Sequence, residues 1–111
     1  MKILITGGNG FVGKYISTQL KKLHHEIYSL NHIEMDCTNF LSVTSHLKGI
    51  NPDVIIHTAA FVMPTDEMEG NHKKIFEKNK LINSNILKNA SLRNIKNVLC
   101  FGSHTMYSPG Q

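Results

Sequence analysis

The chain has 111 residues and is 41% hydrophobic and 18% charged, which is the composition of one small globular domain. Its formal net charge is +4, but the lysines are scattered and form no basic stripe with interleaved aromatic residues, which argues against specific nucleic-acid binding. Cys37 and Cys100 lie far apart without a Cys-x-x-Cys pair, and no apolar run is long enough for a signal peptide or a membrane span, so we expect a cytoplasmic protein.

Short apolar runs predict four strands, over residues 2–6, 26–30, 54–57 and 97–101. Helical patterns between them imply a mostly parallel sheet that is covered on both faces. Right-handed crossovers favour an α/β fold of the Rossmann type, a doubly wound sheet with the strand order 3-2-1-4 that ends at the fourth strand.

Apolar residues at helical spacing predict three helices. The first covers residues 11–23, and the third covers residues 72–92. The second begins after Thr38 and Asn39 and stops at Gly49. Their stripes are Val12, Ile16, Leu20 and Leu23 in the first helix, Leu41, Val43 and Leu47 in the second, and Ile75, Asn79, Ile82, Ile86 and Ala90 in the third.

The segment ITGGNGFVG places three spaced glycines between the first predicted strand and the first predicted helix, the context that makes this pattern credible. Gly7 allows a tight turn, Gly10 lets the backbone approach a pyrophosphate, and Gly13 lets the helix pack against the strand. The helix N-terminus adds free N–H groups and a favourable dipole. We predict a dinucleotide-binding segment that also contains Asn9, Phe11 and Val12; the alternative is a glycine-rich turn with no ligand.

The end of the second predicted strand bears on the identity of the cofactor. An acidic residue there would hold the ribose hydroxyl of NAD, but the chain has Leu30, Asn31 and His32. No arginine is near to take a 2′-phosphate, so NAD and NADP both stay open. Asn31 or His32 is able to hydrogen-bond either form; the alternative is a polar loop that binds no ligand. The seven histidines show no pair at zinc spacing with a carboxylate partner, so no metal is predicted.

Two early motifs resemble a known family. The sequence TGGNGFVG resembles the T-G-x-x-G-x-x-G loop of the extended short-chain dehydrogenase/reductases, the NAD-dependent epimerase/dehydratase family, which act on nucleotide sugars. EMDCTN resembles the E-L-D-L-T-D stretch of that family. The resemblance implies that Asp36 and the Cys37 backbone approach the adenine, whereas a cap before a helix is the alternative role for Asp36.

Two further features agree with this resemblance. PDVIIHTAA resembles the family's P-D-x-V-x-H-x-A-A, which implies that the cofactor passes close to the backbone of Thr58, Ala59 and Ala60. We expect His57 to be a packed strand residue instead of a ligand. Asn79 lies on an apolar helix stripe, where an unpaired amide would be costly, so we expect it to hydrogen-bond nearby backbone.

Residues 97–109, NVLCFGSHTMYSP, resemble the fourth strand and the following loop of the GDP-L-fucose synthases, whose pattern is G-S-S-C-I-Y-P. The resemblance puts Ser103 at the position of the catalytic serine, whose hydroxyl hydrogen-bonds the reacting oxygen of the substrate. Thr105 stands where those synthases have the cysteine used in epimerisation, and UDP-glucose 4-epimerases of the same family have threonine there.

The family's reaction also needs a Tyr-x-x-x-Lys pair, and no tyrosine of this sequence has lysine four residues later. We expect residues 1–111 to be the N-terminal part of a single NAD(P)-binding Rossmann domain, with the catalytic helix and the substrate domain absent and a sheet edge free to self-associate. The resemblance implies hydride transfer at a keto position of a nucleotide sugar, with tyrosine and lysine supplied from beyond residue 111. The alternative is a non-catalytic dinucleotide-binding or interaction module.

Overall fold

The computed structural model describes residues 1–61 and 65–101. Its strands are β1 (Lys2–Thr6), β2 (Glu26–Leu30), β3 (Val54–His57) and β4 (Asn97–Cys100). Its helices are α1 (Phe11–Lys21), α2 (Phe40–Ile50), α3 (Thr65–Met68) and α4 (His72–Leu92). Within this described part, the strands form one parallel sheet in the order β2-β1-β3-β4.

The sheet confirms the predicted parallel α/β fold, but the predicted strand order 3-2-1-4 is wrong. β3 pairs with β1, with Ile55 opposite Leu4, instead of extending the sheet beyond β2. A strand buried on both faces needs a continuous apolar run, which β3 supplies, whereas Glu26 and Ser29 make β2 more suitable for an edge. This difference in composition explains why β3 takes the central position beside β1 and β2 stays at the edge.

The two faces of the sheet carry separate layers of the core. Strand β2 lies on one side of β1, whereas β3 and β4 are added on its other side. Right-handed crossovers therefore put α1 on one face of the sheet and α2 with α4 on the other. Successive β1 residues point to opposite faces, so Ile3 and Ile5 pack on the side of α1, and Leu4 packs on the side of α2 and α4. The buried residues of the core layer between the sheet and the helices α2 and α4 are Leu4, Met35, Cys37, Val43, Leu47, Ile55, Ile82, Ile86 and Ala90.

The buried face of α1 is rotated relative to the predicted stripe. Ile16 and Leu20 pack on the sheet as expected, but Val12 is 43% exposed, and Leu23 lies beyond the helix end and is 65% exposed. The reason is a close approach at Gly13, where an added Cβ would lie 2.3 Å from a carbonyl oxygen of the preceding loop. This contact decides which side of the helix faces the sheet.

Helix α2 begins where the sequence predicts, because Asn39 Oδ1 accepts the Ser42 N–H at 3.2 Å. The predicted stop at Gly49 is wrong: the helix continues to Ile50, and Asn51, with a φ of 52°, provides a left-handed cap. Leu41 is 74% exposed and does not belong to the core, whereas the other two residues of the predicted stripe are buried.

Helix α4 has the bounds that the sequence predicts, and all five residues of its predicted stripe are buried. Asn85 and Asn89 are buried on the same helix, so polar side chains share this face with apolar ones. Among the helices that the structure describes, none combines the length and the apolar character needed to cross a membrane.

Alanine substitutions at two helical glycines should change the free energy of unfolding in opposite directions. Gly13→Ala forces a methyl group against a backbone carbonyl oxygen and should destabilise the fold by roughly 1–3 kcal/mol. Gly49→Ala meets no atom within 4 Å and should stabilise α2 by about 0.5 kcal/mol. Urea unfolding followed by circular dichroism measures both values, and equal effects at the two sites would contradict the close packing of α1.

Candidate functional site

The glycine loop, residues 7–10, turns the chain between β1 and α1 at the carboxyl edge of the sheet. Gly7 has a φ of 71°, which favours glycine, and its carbonyl oxygen accepts the Gly10 N–H at 2.9 Å. The Gly8 N–H donates to the Leu30 carbonyl oxygen at 2.9 Å and ties the loop to the end of β2. Gly10 is the N-cap residue of α1, so no side chain caps the first N–H groups of this helix, which leaves them available to an anion.

The inner side of the glycine loop packs against the segment that follows β3. A Cβ at Gly7 would lie 2.6 Å from Thr58 Oγ1 and 2.9 Å from the Ala59 nitrogen, so a side chain does not fit there. At Gly10, the one described atom that a Cβ would meet within 4 Å is the Gly7 carbonyl oxygen, at 3.2 Å. The outer side of the loop is therefore open, and a side chain at Gly10 would fill that space.

The Thr6 hydroxyl joins the ends of β1 and β3. Thr6 is buried, and its Oγ1 accepts the backbone N–H groups of Thr58 at 3.0 Å and Ala59 at 3.1 Å. The Thr58 hydroxyl in turn donates to the Thr6 carbonyl oxygen. These contacts hold the segment after β3 beside the glycine loop.

His57 lies beneath this junction as a packed strand residue, as the sequence predicts. Its Nδ1 is 2.7 Å from Thr6 Oγ1, and its Nε2 is 2.7 Å from Asn83 Oδ1 on α4. Burial lowers the pKa of His57 below its ordinary value, and the hydrogen bond to Asn83 opposes this shift in part. The ring is therefore neutral at physiological pH.

Two adjoining cavities open at this edge of the sheet. The smaller one, of about 220 Å³, lies on the glycine loop and is lined by Gly7, Asn9, Gly10, Asn31, His32, Thr58, Ala59 and Ala60. The larger one, of about 550 Å³, is lined by His32, Asp36, Cys37, Thr38, Ala59, Ala60, Phe61, Lys78 and Ile82. Because His32, Ala59 and Ala60 line both, one elongated ligand is able to occupy the two cavities together.

Asp36 and Cys37 border the larger cavity at the turn before α2. Asp36 Oδ1 accepts the Thr38 N–H at 2.9 Å and the Thr38 hydroxyl at 2.6 Å, and these bonds hold the pKa of this exposed carboxyl below its usual range. Asp36 therefore stabilises the turn, whereas Asn39 is the N-cap of α2. Burial raises the pKa of the Cys37 thiol to about 11, and the Cys37 carbonyl oxygen accepts the Asn85 amide at 2.9 Å.

Asn79 holds the opposite wall of the larger cavity. Its side chain accepts the Phe61 N–H at 2.7 Å and donates to the Phe61 carbonyl oxygen at 3.0 Å, so the amide pairs with both backbone groups of one residue. This confirms the predicted backbone-binding role of Asn79. The Lys78 ammonium lies 4.3 Å from the centre of the Phe61 ring, which places a positive charge at this wall.

The remaining predicted site residues are placed differently. Phe11 is 89% exposed and Val12 is 43% exposed. Because both lie in the first turn of α1, their backbone N–H groups are suited to bind an anion, whereas their apolar side chains are not. Ser103 and Thr105 lie outside the described residues.

Among the residues that are described, no group of three or more His, Cys, Asp or Glu side chains is arranged to hold a metal ion.

Three features of the site were missed by sequence reasoning: the Thr6 hydroxyl, the pairing of His57 with Asn83, and the contact of Asn85 with the turn before α2. The asparagine contacts carried a signal in the sequence. Asn85, like Asn79, lies beside the apolar stripe of α4, where an amide needs a partner. The histidine contact had no local signal, because its partners are 51 and 26 residues away.

Known proteins resemble this chain over most of its length. A family model described as the NAD dependent epimerase/dehydratase family matches residues 3–111. GDP-L-colitose synthase from Yersinia pseudotuberculosis is 35% identical over 107 residues, which cover 96% of this chain and 35% of that protein. GDP-6-deoxy-D-talose 4-dehydrogenase from Aggregatibacter actinomycetemcomitans is 35% identical over 111 residues, which cover 96% of this chain and 37% of that protein.

A solved structure shows the same fold. A GDP-D-glycero-L-gluco-heptose synthase from Campylobacter jejuni, determined in the presence of NADPH, matches with a TM-score of 0.84 at 25% sequence identity. The match covers 99% of this chain and 32% of that one. The chain therefore spans about a third of the length of the relatives that it matches.

Protonation of His57 should lower the stability of the fold. Because burial lowers its folded-state pKa, the unfolded chain binds a proton below the ordinary imidazole pKa of about 6.5, whereas the folded chain does not. The free energy of unfolding should fall as the pH decreases from about 6.5, by up to about 1.4 kcal/mol per pH unit, until the folded-state pKa is reached. His57→Phe should flatten this slope in urea unfolding at a series of pH values, and an unchanged slope would mean that other groups cause it.

Proposed function

This chain belongs to the NAD dependent epimerase/dehydratase family, and on that premise we propose that it binds a nicotinamide dinucleotide across the two cavities. The observation that carries the proposal is the uncapped start of α1 above an open glycine loop, which faces the smaller cavity. Backbone N–H groups and the helix dipole suit a pyrophosphate at this position. The adjoining larger cavity then takes the adenine.

In this proposal, each part of the dinucleotide contacts a different segment of the chain. The pyrophosphate binds the segment that contains Gly7, Asn9, Gly10, Phe11, Val12 and Gly13. In this segment Gly10 allows the approach, and Gly13 sets the position of α1. The adenine lies beside Asp36 and the Cys37 backbone, and the rest of the dinucleotide passes along Thr58, Ala59 and Ala60. Small side chains at the last two positions leave room for it.

We propose NADP(H) as the preferred form. Among the residues that line the smaller cavity, none carries a carboxylate that would hold a ribose 2′-hydroxyl and repel a 2′-phosphate. The Asn31 side chain accepts the N–H groups of Ile33 and Glu34, so it shapes the turn after β2. The side chains of Asn9 and His32 also line the smaller cavity and make no hydrogen bond among the described residues, so both are open to a ligand. The relative from Campylobacter jejuni, which was determined with NADPH, agrees with this choice.

We further propose that residues 1–111 are the N-terminal part of an NAD(P)-binding Rossmann domain whose reaction is hydride transfer at a keto position of a GDP-linked sugar. The names of the two sequence relatives support this substrate class. The bound dinucleotide would supply or accept the hydride. Ser103 would hydrogen-bond the reacting carbonyl oxygen, and a tyrosine and a lysine from beyond residue 111 would transfer the proton.

A second function, a dinucleotide-binding module without catalysis, is favoured by one observation: none of the three tyrosines is followed by lysine at the fourth position. The two functions share the binding site and differ in turnover. A GDP-4-keto-6-deoxy sugar incubated with NADPH and a chain that continues beyond residue 111 distinguishes them. Oxidation of NADPH would support the first function, and NADPH binding without oxidation would support the second.

Gly10→Val should abolish measurable NADPH binding, because an added side chain fills the open side of the glycine loop. Isothermal titration calorimetry measures the affinity. Gly49→Val is the matched control, since the Cβ at that helical glycine meets no atom within 4 Å and lies outside the linings of both cavities. Equal NADPH affinity in the Gly10→Val and unsubstituted chains would contradict the proposed pyrophosphate site.

A further inference from the structure

A row of hydrogen bonds joins α4, β3 and β1 beneath the glycine loop. It begins at Asn83 Oδ1, which is 2.7 Å from His57 Nε2, and continues from His57 Nδ1 to Thr6 Oγ1, also at 2.7 Å. It ends at the backbone N–H groups of Thr58 and Ala59, which are 3.0 and 3.1 Å from the same Thr6 oxygen. The row thus connects a helix on one face of the sheet with the wall of the smaller cavity.

The chemistry of these groups fixes the direction of every bond in the row. A threonine hydroxyl has one hydrogen and two lone pairs, and the two backbone N–H groups occupy both lone pairs of Thr6 Oγ1. The hydroxyl hydrogen is therefore donated to His57 Nδ1, which must be unprotonated. The neutral ring then carries its hydrogen on Nε2 and donates it to Asn83 Oδ1, an atom that only accepts. One tautomer of His57 satisfies all of these bonds.

We propose that His57 is a positioning residue of the dinucleotide site, whose Nε2–H tautomer orients the Thr6 hydroxyl and thereby fixes the backbone at Thr58. The effect on ligand binding rests on the proposed function, but the row of hydrogen bonds does not. A proton on Nδ1 would give Thr6 Oγ1 a third donor for two lone pairs, so one backbone N–H would lose its partner.

The position of the segment after β3 affects the dinucleotide site because this segment packs directly against the glycine loop. Thr58 and Ala59 line the smaller cavity, and the Thr58 hydroxyl and the Ala59 backbone lie so close to Gly7 that not even a Cβ fits between them. A shift of this segment therefore moves the glycine loop or changes the width of the cavity. Asn83 acts on the cavity through His57 and Thr6 without lining it.

The tautomer is tested directly by nitrogen NMR of the full 111-residue chain labelled with ¹⁵N-histidine. Long-range correlations from the ring protons should show His57 with an unprotonated Nδ1 and a protonated Nε2. Observation of the opposite tautomer, or of a ring that exchanges between the two, would overturn the inference. This measurement needs no ligand.

The positioning role is tested by a matched pair of substitutions on α4. Asn83→Leu removes the acceptor of His57, whereas Asn89→Leu removes an amide that bonds the Phe40 and Asn85 carbonyl oxygens away from the cavities. Both variants should lose stability, but Asn83→Leu alone should weaken NADPH binding, by about tenfold. Equal affinities of the two variants would overturn the role of the row.

Amide hydrogen exchange separates this inference from the proposed function. The Thr58 amide should exchange faster in Asn83→Leu and in Thr6→Val, which removes the hydroxyl at nearly constant shape, and should stay protected in Asn89→Leu and Thr6→Ser. If the unsubstituted chain binds no dinucleotide, the proposed function fails, and this exchange pattern still decides the inference. Equal protection in all four variants would overturn it.

Discussion

The Thr6 hydroxyl lies where the two central strands end, and the arrangement of the whole site depends on it. It is buried, it accepts two backbone N–H groups from the segment after β3, and it contacts the His57 ring. Strands β1 and β3 are neighbours because the chain reverses at β1, so helices start on opposite faces of the sheet at this point. A crevice at such a reversal is where open α/β sheets bind ligands.

Helix α4 fixes the far side of that crevice through a row of asparagines. Asn79 pairs with the backbone of Phe61, Asn83 with the His57 ring, and Asn85 with the carbonyl oxygen of Cys37. Asn79 and Asn85 are buried, so the loss of either amide's partner would be costly, and these two contacts hold their loops at a defined distance from the helix. The half-buried Asn83 holds the end of β3 in the same way. The helix is therefore both a core element and the support of the end of β3 and of two loops that border the cavities.

The sequence predicts the local parts of this structure well and the non-local parts poorly. The bounds and stripe of α4 and the position of the glycine loop follow from spacing alone, whereas the strand order depends on which strand tolerates burial on both faces. The orientation of α1 depends on the contact of Gly13 with the Gly7 carbonyl oxygen, whose position is set by the folded loop. Helix α2 ends at Ile50 instead of Gly49 because Asn51 also adopts the left-handed cap conformation. The link between Thr6 and His57 joins residues 51 positions apart, and no local pattern reveals it.

The most direct test of the proposed dinucleotide site is a titration of the ¹⁵N-labelled chain with NADPH, monitored through the backbone amide resonances. A dinucleotide bound across the two cavities should cause the largest shifts in three separate segments that meet only in the folded protein, residues 7–13, 36–37 and 58–60. Amides at the opposite edge of the sheet, at the start of β1 and in the turn before β3, should not shift. Shifts confined to one of the three segments, or spread over surface lysines without them, would contradict a dinucleotide bound across the two cavities.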